Sequence, residues 1–183
     1  MNTLCYVFTF AFEQFISYIY FSNKFELKRK TFYIFLFYMA SFAVQFGVHL
    51  LPVPEFNLLS FFICNIIVTA FCYKINAKQL IFNVVLIEGL MITTELLTMF
   101  LISALLKINL SEYTVNDNVI FLEMIVAKIL YFIVAYLFSK ISKKETDTKK
   151  IKDFSLVLFV LPLASIVTIV CFVYLSFTLN PDN

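Results

Sequence analysis

Five ionisable side chains stand inside otherwise apolar stretches of this 183-residue chain: Glu13, Glu88, Glu95, Glu123 and Lys128. A charge within a lipid-spanning helix costs about 2.5–3.5 kcal/mol on insertion scales, so each such group needs a partner, water or a task. Two kinds of chemistry fit them. An ion pair can neutralise Lys128, and carboxyls grouped with uncharged polar side chains can bind an external ligand. Glu88 and Glu95, seven residues apart, fall on nearly the same helical face, two turns from each other. At a rise of about 1.5 Å per residue, Lys128 and Glu88 reach similar mid-membrane depths. An intramembrane ion pair between them is therefore expected, with Glu13 as the competing partner. Glu95 and Glu123 fall toward the outer leaflet, in the same half as Gln45, His49 and Asn65. These five residues form the expected ligand-binding site. The alternative for each is that it only holds helices together, through buried hydrogen bonds worth about 1 kcal/mol.

Other chemistries lack their residues. With only two glycines, Gly47 and Gly89, a Gly-rich phosphate loop is excluded. There is one histidine, His49, with no second histidine or carboxylate at ligand spacing, so no metal site and no cofactor is expected. No His-Glu-x-x-His and no Cys-His constellation is present. Cys5, Cys64, Cys72 and Cys171 all stand in apolar runs, where a thiol acts as a small apolar side chain. No enzymatic activity is expected of the chain as given.

The elements that must position these residues follow from composition. The chain is 62% hydrophobic and 14% charged, with a mean hydropathy of +0.92, against about 45–50% apolar and about 25% charged for soluble domains. A soluble domain of this size leaves roughly a third of its surface in water and could not hide so much apolar area. A nucleic-acid-binding domain, a disulfide-stapled secreted module and a soluble enzyme are excluded on that ground. Six apolar runs, near 4–22, 31–51, 57–73, 80–105, 118–138 and 154–178, have the length of membrane-spanning helices. The expected fold is all-α, a polytopic helical membrane protein with six transmembrane helices in one bundle and a single domain over 1–183. The short-period alternation of an outer-membrane barrel is missing.

Basic residues set the orientation. Lys24, Lys28, Arg29 and Lys30 follow the first run, Lys74 and Lys78 the third, and Lys140, Lys143, Lys144, Lys149, Lys150 and Lys152 the fifth. Twelve of the 14 thus fall on one side, which is expected to be cytoplasmic in a multi-pass cell-membrane protein. Both termini are then external. The first run has no preceding basic residue and contains Glu13, so it reads as a retained helix and not as a signal peptide.

Three segments carry a resemblance to a known family. FAFEQFISYIYFSNKFELKRK (10–30) places a membrane glutamate and aromatics before a basic stop, YKINAKQLIFNVVLIEGLMITTELL (73–97) leads from a short basic turn into a helix with two glutamates, and FVLPLASIVTIVCFVYL (159–175) is a Pro-containing apolar segment. Together they resemble the N-terminal transmembrane sensor region of bacterial peptide-sensing histidine kinases of the accessory-gene-regulator type, whose catalytic part is a GHKL-superfamily ATPase. The resemblance implies a bundle that detects an extracellular signal, often a peptide, and passes a conformational change to a cytoplasmic dimerisation helix pair. The sequence departs from the family at its end. After SFTLNPDN it has neither a phospho-accepting histidine segment nor an ATP-binding domain, so a piece of such a kinase or a standalone six-helix relative is expected.

The leading functional expectation is a non-catalytic membrane sensor or receptor module for an external peptide or small ligand, the input part of a two-component system. It would contact membrane lipid, form a homodimer and bind no nucleic acid. The external loop from Leu110 to Asn118, with Glu112 and Asp117, would steer a cationic or polar ligand toward the site. The rival expectation is a small solute transporter or substrate-binding membrane subunit using the same carboxylates.

Overall fold

The computed structural model describes residues 3–51, 55–106 and 117–143. Five α-helices account for nearly all of them: α1 Thr3–Lys24, α2 Thr31–His49, α3 Glu55–Cys72, α4 Ala77–Leu106 and α5 Asp117–Lys143. They coincide with the first five apolar runs to within about five residues. The expected sixth span, 154–178, and residues 107–116 of the acidic loop lie outside the described residues. Among the described residues α2, α4 and residues Asn118–Lys140 of α5 are long and apolar enough to cross a bilayer, while α3 is apolar but shorter, Phe56–Cys72.

Local chemistry explains the boundaries. Asn76 caps α4: its side-chain oxygen accepts from the Gln79 amide at 2.8 Å, satisfying one of the free N–H groups of a first turn. At the end of α2 the amides of Leu50 and Leu51 tighten onto the carbonyls of Gly47 and Val48, just before Pro52 and Pro54, residues that end helical propagation.

The chain forms two compact units whose divisions fall inside α4 and α5. One contains residues up to Glu88 together with the end of α5 from Val134; the other contains Gly89–Ile133. In the first unit α1, α2 and α3 pack as antiparallel neighbours. Leu27 and Tyr73 form an antiparallel bridge that ties the α1–α2 and α3–α4 connections together. Lys28 donates to the Cys72 carbonyl at 2.8 Å and Lys74 to the Glu26 carbonyl at 2.9 Å. Asn23 donates to Ser139 Oγ of α5 at 3.3 Å. The basic residues at the ends of α1, α3 and α5 therefore share one end of this unit, as their loop-by-loop sorting requires.

The outer faces are apolar and the inner faces carry the polar groups. Phe32, Phe35, Leu36, Met39, Ile63, Ile67 and Phe71 are exposed, whereas Gln14, Ser17, Ser41, Gln45, Asn65 and Thr69 are buried. That is the reverse of a soluble domain and suits helices whose solvent is lipid. In the second unit α4 and α5 run antiparallel, with Ile102 and Val119 buried against each other and flanked by Met99 and Ile120. Thr93, Thr94 and Thr98 turn their hydroxyls back onto carbonyls four residues earlier, at 2.7–2.9 Å, which satisfies them within α4.

Candidate ligand-binding site

Each of α1, α2 and α3 carries one polar stripe at helical spacing. On α1 it runs Phe10–Gln14–Ser17–Phe21, on α2 Tyr38–Ser41–Gln45–His49, and on α3 Asn57–Phe61–Asn65–Thr69–Tyr73. Steps of three or four residues keep these side chains on one face. Contacts at both ends show that the three faces meet. At one end the His49 ring packs tilted on Tyr6 at 3.9 Å and edge-on against Phe10 at 5.3 Å between ring centroids, and its Nδ1 lies 3.4 Å from Asn57 Nδ2. At the other end the Tyr73 hydroxyl joins that of Tyr38 at 3.3 Å and Ser22 Oγ at 3.0 Å. There the Tyr73 ring packs on Phe21 at 5.8 Å, and Tyr38 meets Tyr18 at 5.7 Å.

Between those ends the stripes carry neutral amides and hydroxyls, with the buried carboxyl of Glu13 three residues from Phe10 and four from Ser17 on α1. Gln14, Ser17, Ser41, Gln45, Asn65 and Thr69 are each 5% exposed or less. Among the described residues, nine side-chain nitrogen and oxygen atoms of these residues and Asn57 have no hydrogen-bond partner. Each buried polar atom left unsatisfied costs about 1–3 kcal/mol. Nine of them would consume stability on the order of the 5–15 kcal/mol that a whole domain has. Groups in such number call for hydrogen-bonding partners beyond those among the described residues. Amides supply both donors and acceptors, and hydroxyls can turn to serve either way.

A second polar feature of the same unit is already satisfied. The Tyr20 hydroxyl donates to Asn83 Oδ1 at 2.8 Å, and Asn83 Nδ2 donates to the Gln79 carbonyl at 2.6 Å. Glu13 and Glu88 are also buried in this unit. Glu26 and Lys74 pair at 3.1 Å on its exposed basic end.

In the other unit Lys128 Nζ donates to Glu95 Oε1. Lys128 is 7% exposed, while the Glu95 side chain is 41% exposed, so the carboxylate sits at the margin of the α4–α5 contact and the ammonium within it. Glu123 is half-buried on α5. Antiparallel register explains the pairing: the contact of Ile102 with Val119, continued down both helices, brings residue 128 level with residue 93, within about 3 Å of the level of Glu95 and in reach of a lysine side chain. The ion pair thus joins Lys128 to a residue expected at the ligand site.

Of the residues expected to bind ligand, the structure gathers Gln45, His49 and Asn65 in the α1–α3 unit, and Glu95 and Glu123 in the α4–α5 unit. Gln14, Ser17, Ser41 and Thr69 belong with the first three and were not expected. Their signal was present in the sequence as polar residues three and four positions apart within apolar runs. Neutral hydroxyls and amides cost too little in a membrane helix to be conspicuous one at a time.

Among the described residues no group of three His, Cys, Asp or Glu side chains is placed to hold a metal ion. The site is equipped to hydrogen-bond and, at His49, to stack. No family model matches the chain, and neither a curated protein nor a solved structure matches it.

Proposed function

We propose that this chain is a non-catalytic, multi-pass membrane sensor or receptor module for an extracellular signal. In this reading the sixth run, 154–178, completes a bundle of six spans. The basic loops face the cytoplasm and the His49 end of α1–α3 faces outside. Signal enters at that end, and the module is the input part of a two-component system. The observation that carries the reading is the buried, uncharged polar stripe of Gln14, Gln45 and Asn65 beneath a half-buried aromatic rim, inside helices whose outer faces suit lipid. A protein that needed only a stable bundle in lipid would fill that interior with apolar side chains or with groups that satisfy one another.

A second reading, a small solute transporter, is favoured by the length of the stripe, which continues from His49 to Thr69. One experiment separates the two. Membrane vesicles containing the protein are incubated with spent growth medium of its source cells and washed, and retained compounds are identified by mass spectrometry. A receptor retains a compound that Gln45→Leu and His49→Ala vesicles do not, in an amount that saturates at the quantity of protein. A transporter accumulates it beyond that quantity. Equal retention by the parent and both variants would refute a site in α1–α3.

A further inference from the structure

We propose that the joined α1–α2 and α3–α4 connections form a surface that holds the headgroups of anionic phospholipids. This rests on reading the apolar helices as membrane spans and is independent of what binds at the His49 end.

The two connections are fixed to each other by their backbones. The Leu27–Tyr73 bridge is flanked by the hydrogen bonds from the Lys28 amide to the Cys72 carbonyl, 2.8 Å, and from the Lys74 amide to the Glu26 carbonyl, 2.9 Å. Lys28, Arg29 and Lys30, which close the first connection, are thereby brought together with Lys74 and Lys78 of the second, and all five are exposed. Glu26 pairs with Lys74 at 3.1 Å. Among the described residues Lys28, Arg29, Lys30 and Lys78 have no acidic partner.

Helix electrostatics opposes that placement. Lys30 is the N-cap of α2 and makes no side-chain capping bond, Lys78 is the second residue of α4, and neither helix has an acidic residue in its first turn. The N-terminal end of a helix carries partial positive charge, which disfavours cations and attracts anions. Orientation in the membrane does not require this arrangement, because the positive-inside preference counts basic residues beside either end of a helix. Lys24, in the last turn of α1, serves it where the dipole favours a cation. Cations gathered at two positive helix ends are instead offset by anionic groups lying against them.

Neighbouring side chains decide what carries those anions. Phe32 and Tyr33 follow the basic triad and are 67% and 52% exposed. Phe32 also begins the exposed apolar row Phe32–Leu36–Met39 of α2, whose steps of four and three residues keep it on one face. The triad therefore stands at the edge of a face suited to lipid. Aromatic rings at that level fit the boundary of headgroups and acyl chains, and long basic side chains reach past them to the phosphates. A soluble acidic protein would meet the charges but leave the rings uncovered; an anionic bilayer meets both. Each basic residue close to such a surface strengthens association about fivefold.

The full chain is equilibrated in micelles of uncharged detergent with equal amounts of phosphatidylglycerol and phosphatidylcholine, and the lipid retained on the protein is counted by native mass spectrometry. Phosphatidylglycerol should be retained over phosphatidylcholine at least fivefold. The preference should fall below twofold in a Lys28→Gln, Arg29→Gln, Lys30→Gln variant of unchanged helical content. Glu26→Gln, which releases Lys74, should raise it at least twofold. A Lys149→Gln, Lys150→Gln, Lys152→Gln variant, which loses the same charge from another segment, should keep at least half of it. A parent without preference, a Lys28–Lys30 variant that keeps it, an unchanged Glu26→Gln or equal losses in the two triple variants would each overturn the surface. Inorganic phosphate should displace phosphatidylglycerol no more than chloride of equal ionic strength; stronger displacement would replace the lipid surface with a site for the free ion. A chain that stays in solution without detergent would remove the membrane reading and this surface together, whereas a missing preference in a detergent-dependent chain refutes the surface alone.

Discussion

Replacing Glu95 with leucine should destabilise the protein mainly through the lysine it leaves behind. Lys128 is 7% exposed and donates to Glu95 Oε1, so the variant retains a desolvated ammonium and removes a carboxylate that it contacts. Breaking a fully buried ion pair from one side costs about 3–5 kcal/mol, and a lysine at mid-helix in a bilayer costs about 2.5–3.5 kcal/mol on insertion scales. The Glu95 side chain is 41% exposed, which screens part of the attraction, so a loss of about 2–3 kcal/mol is expected. Adding Lys128→Met removes that ammonium and keeps most of the side-chain volume. The double variant should then recover about 2 kcal/mol relative to the sum of the two single losses. The assay is unfolding in mixed micelles titrated with a denaturing detergent, followed by circular dichroism and by fluorescence of the 10 tyrosines in this tryptophan-free chain. A double-mutant coupling below about 0.5 kcal/mol, the usual limit for independent sites, would refute the reasoning.

Two further outcomes follow from the α1–α3 unit. Tyr20→Phe removes the donor to Asn83 Oδ1 in a place where both side chains are buried and should lower the unfolding free energy by about 1–3 kcal/mol, measured in the same titration; no change would mean that Asn83 finds another donor. Glu26→Gln breaks a pair whose side chains are 63% and 81% exposed, and it should shift stability by less than about 0.5 kcal/mol. Any effect it does have should fade as salt is raised.

The sequence by itself determined where helices run and which of their ends belong together. Apolar runs of membrane length, prolines at 52 and 54 and the Asn76 cap are local signals. Among the described residues, the basic ends of α1, α3 and α5 share one end because successive antiparallel helices must alternate direction. Sequence position also sets depth along each helix, since the rise per residue is constant, and this is why Gln45 and Asn65 could be expected in the outer half without knowing their neighbours. Rotation about each helix axis and register between helices were decided only by tertiary packing. For helices whose outer solvent is lipid, the buried and exposed faces are similarly apolar, and the periodicity that orients a helix in a soluble protein is weak. The gathering of Gln14, Ser17, Ser41 and Thr69 with Gln45 and Asn65 therefore became visible only when the stripes of α1, α2 and α3 were seen to begin and end on contacts with one another. Lys128 shows the same limit: counting residues gives its depth along α5, while its contact with Glu95 in the α4–α5 unit depends on how two antiparallel helices slide past each other. That register is chosen by side-chain packing at residues such as Ile102 and Val119, far from the charges themselves.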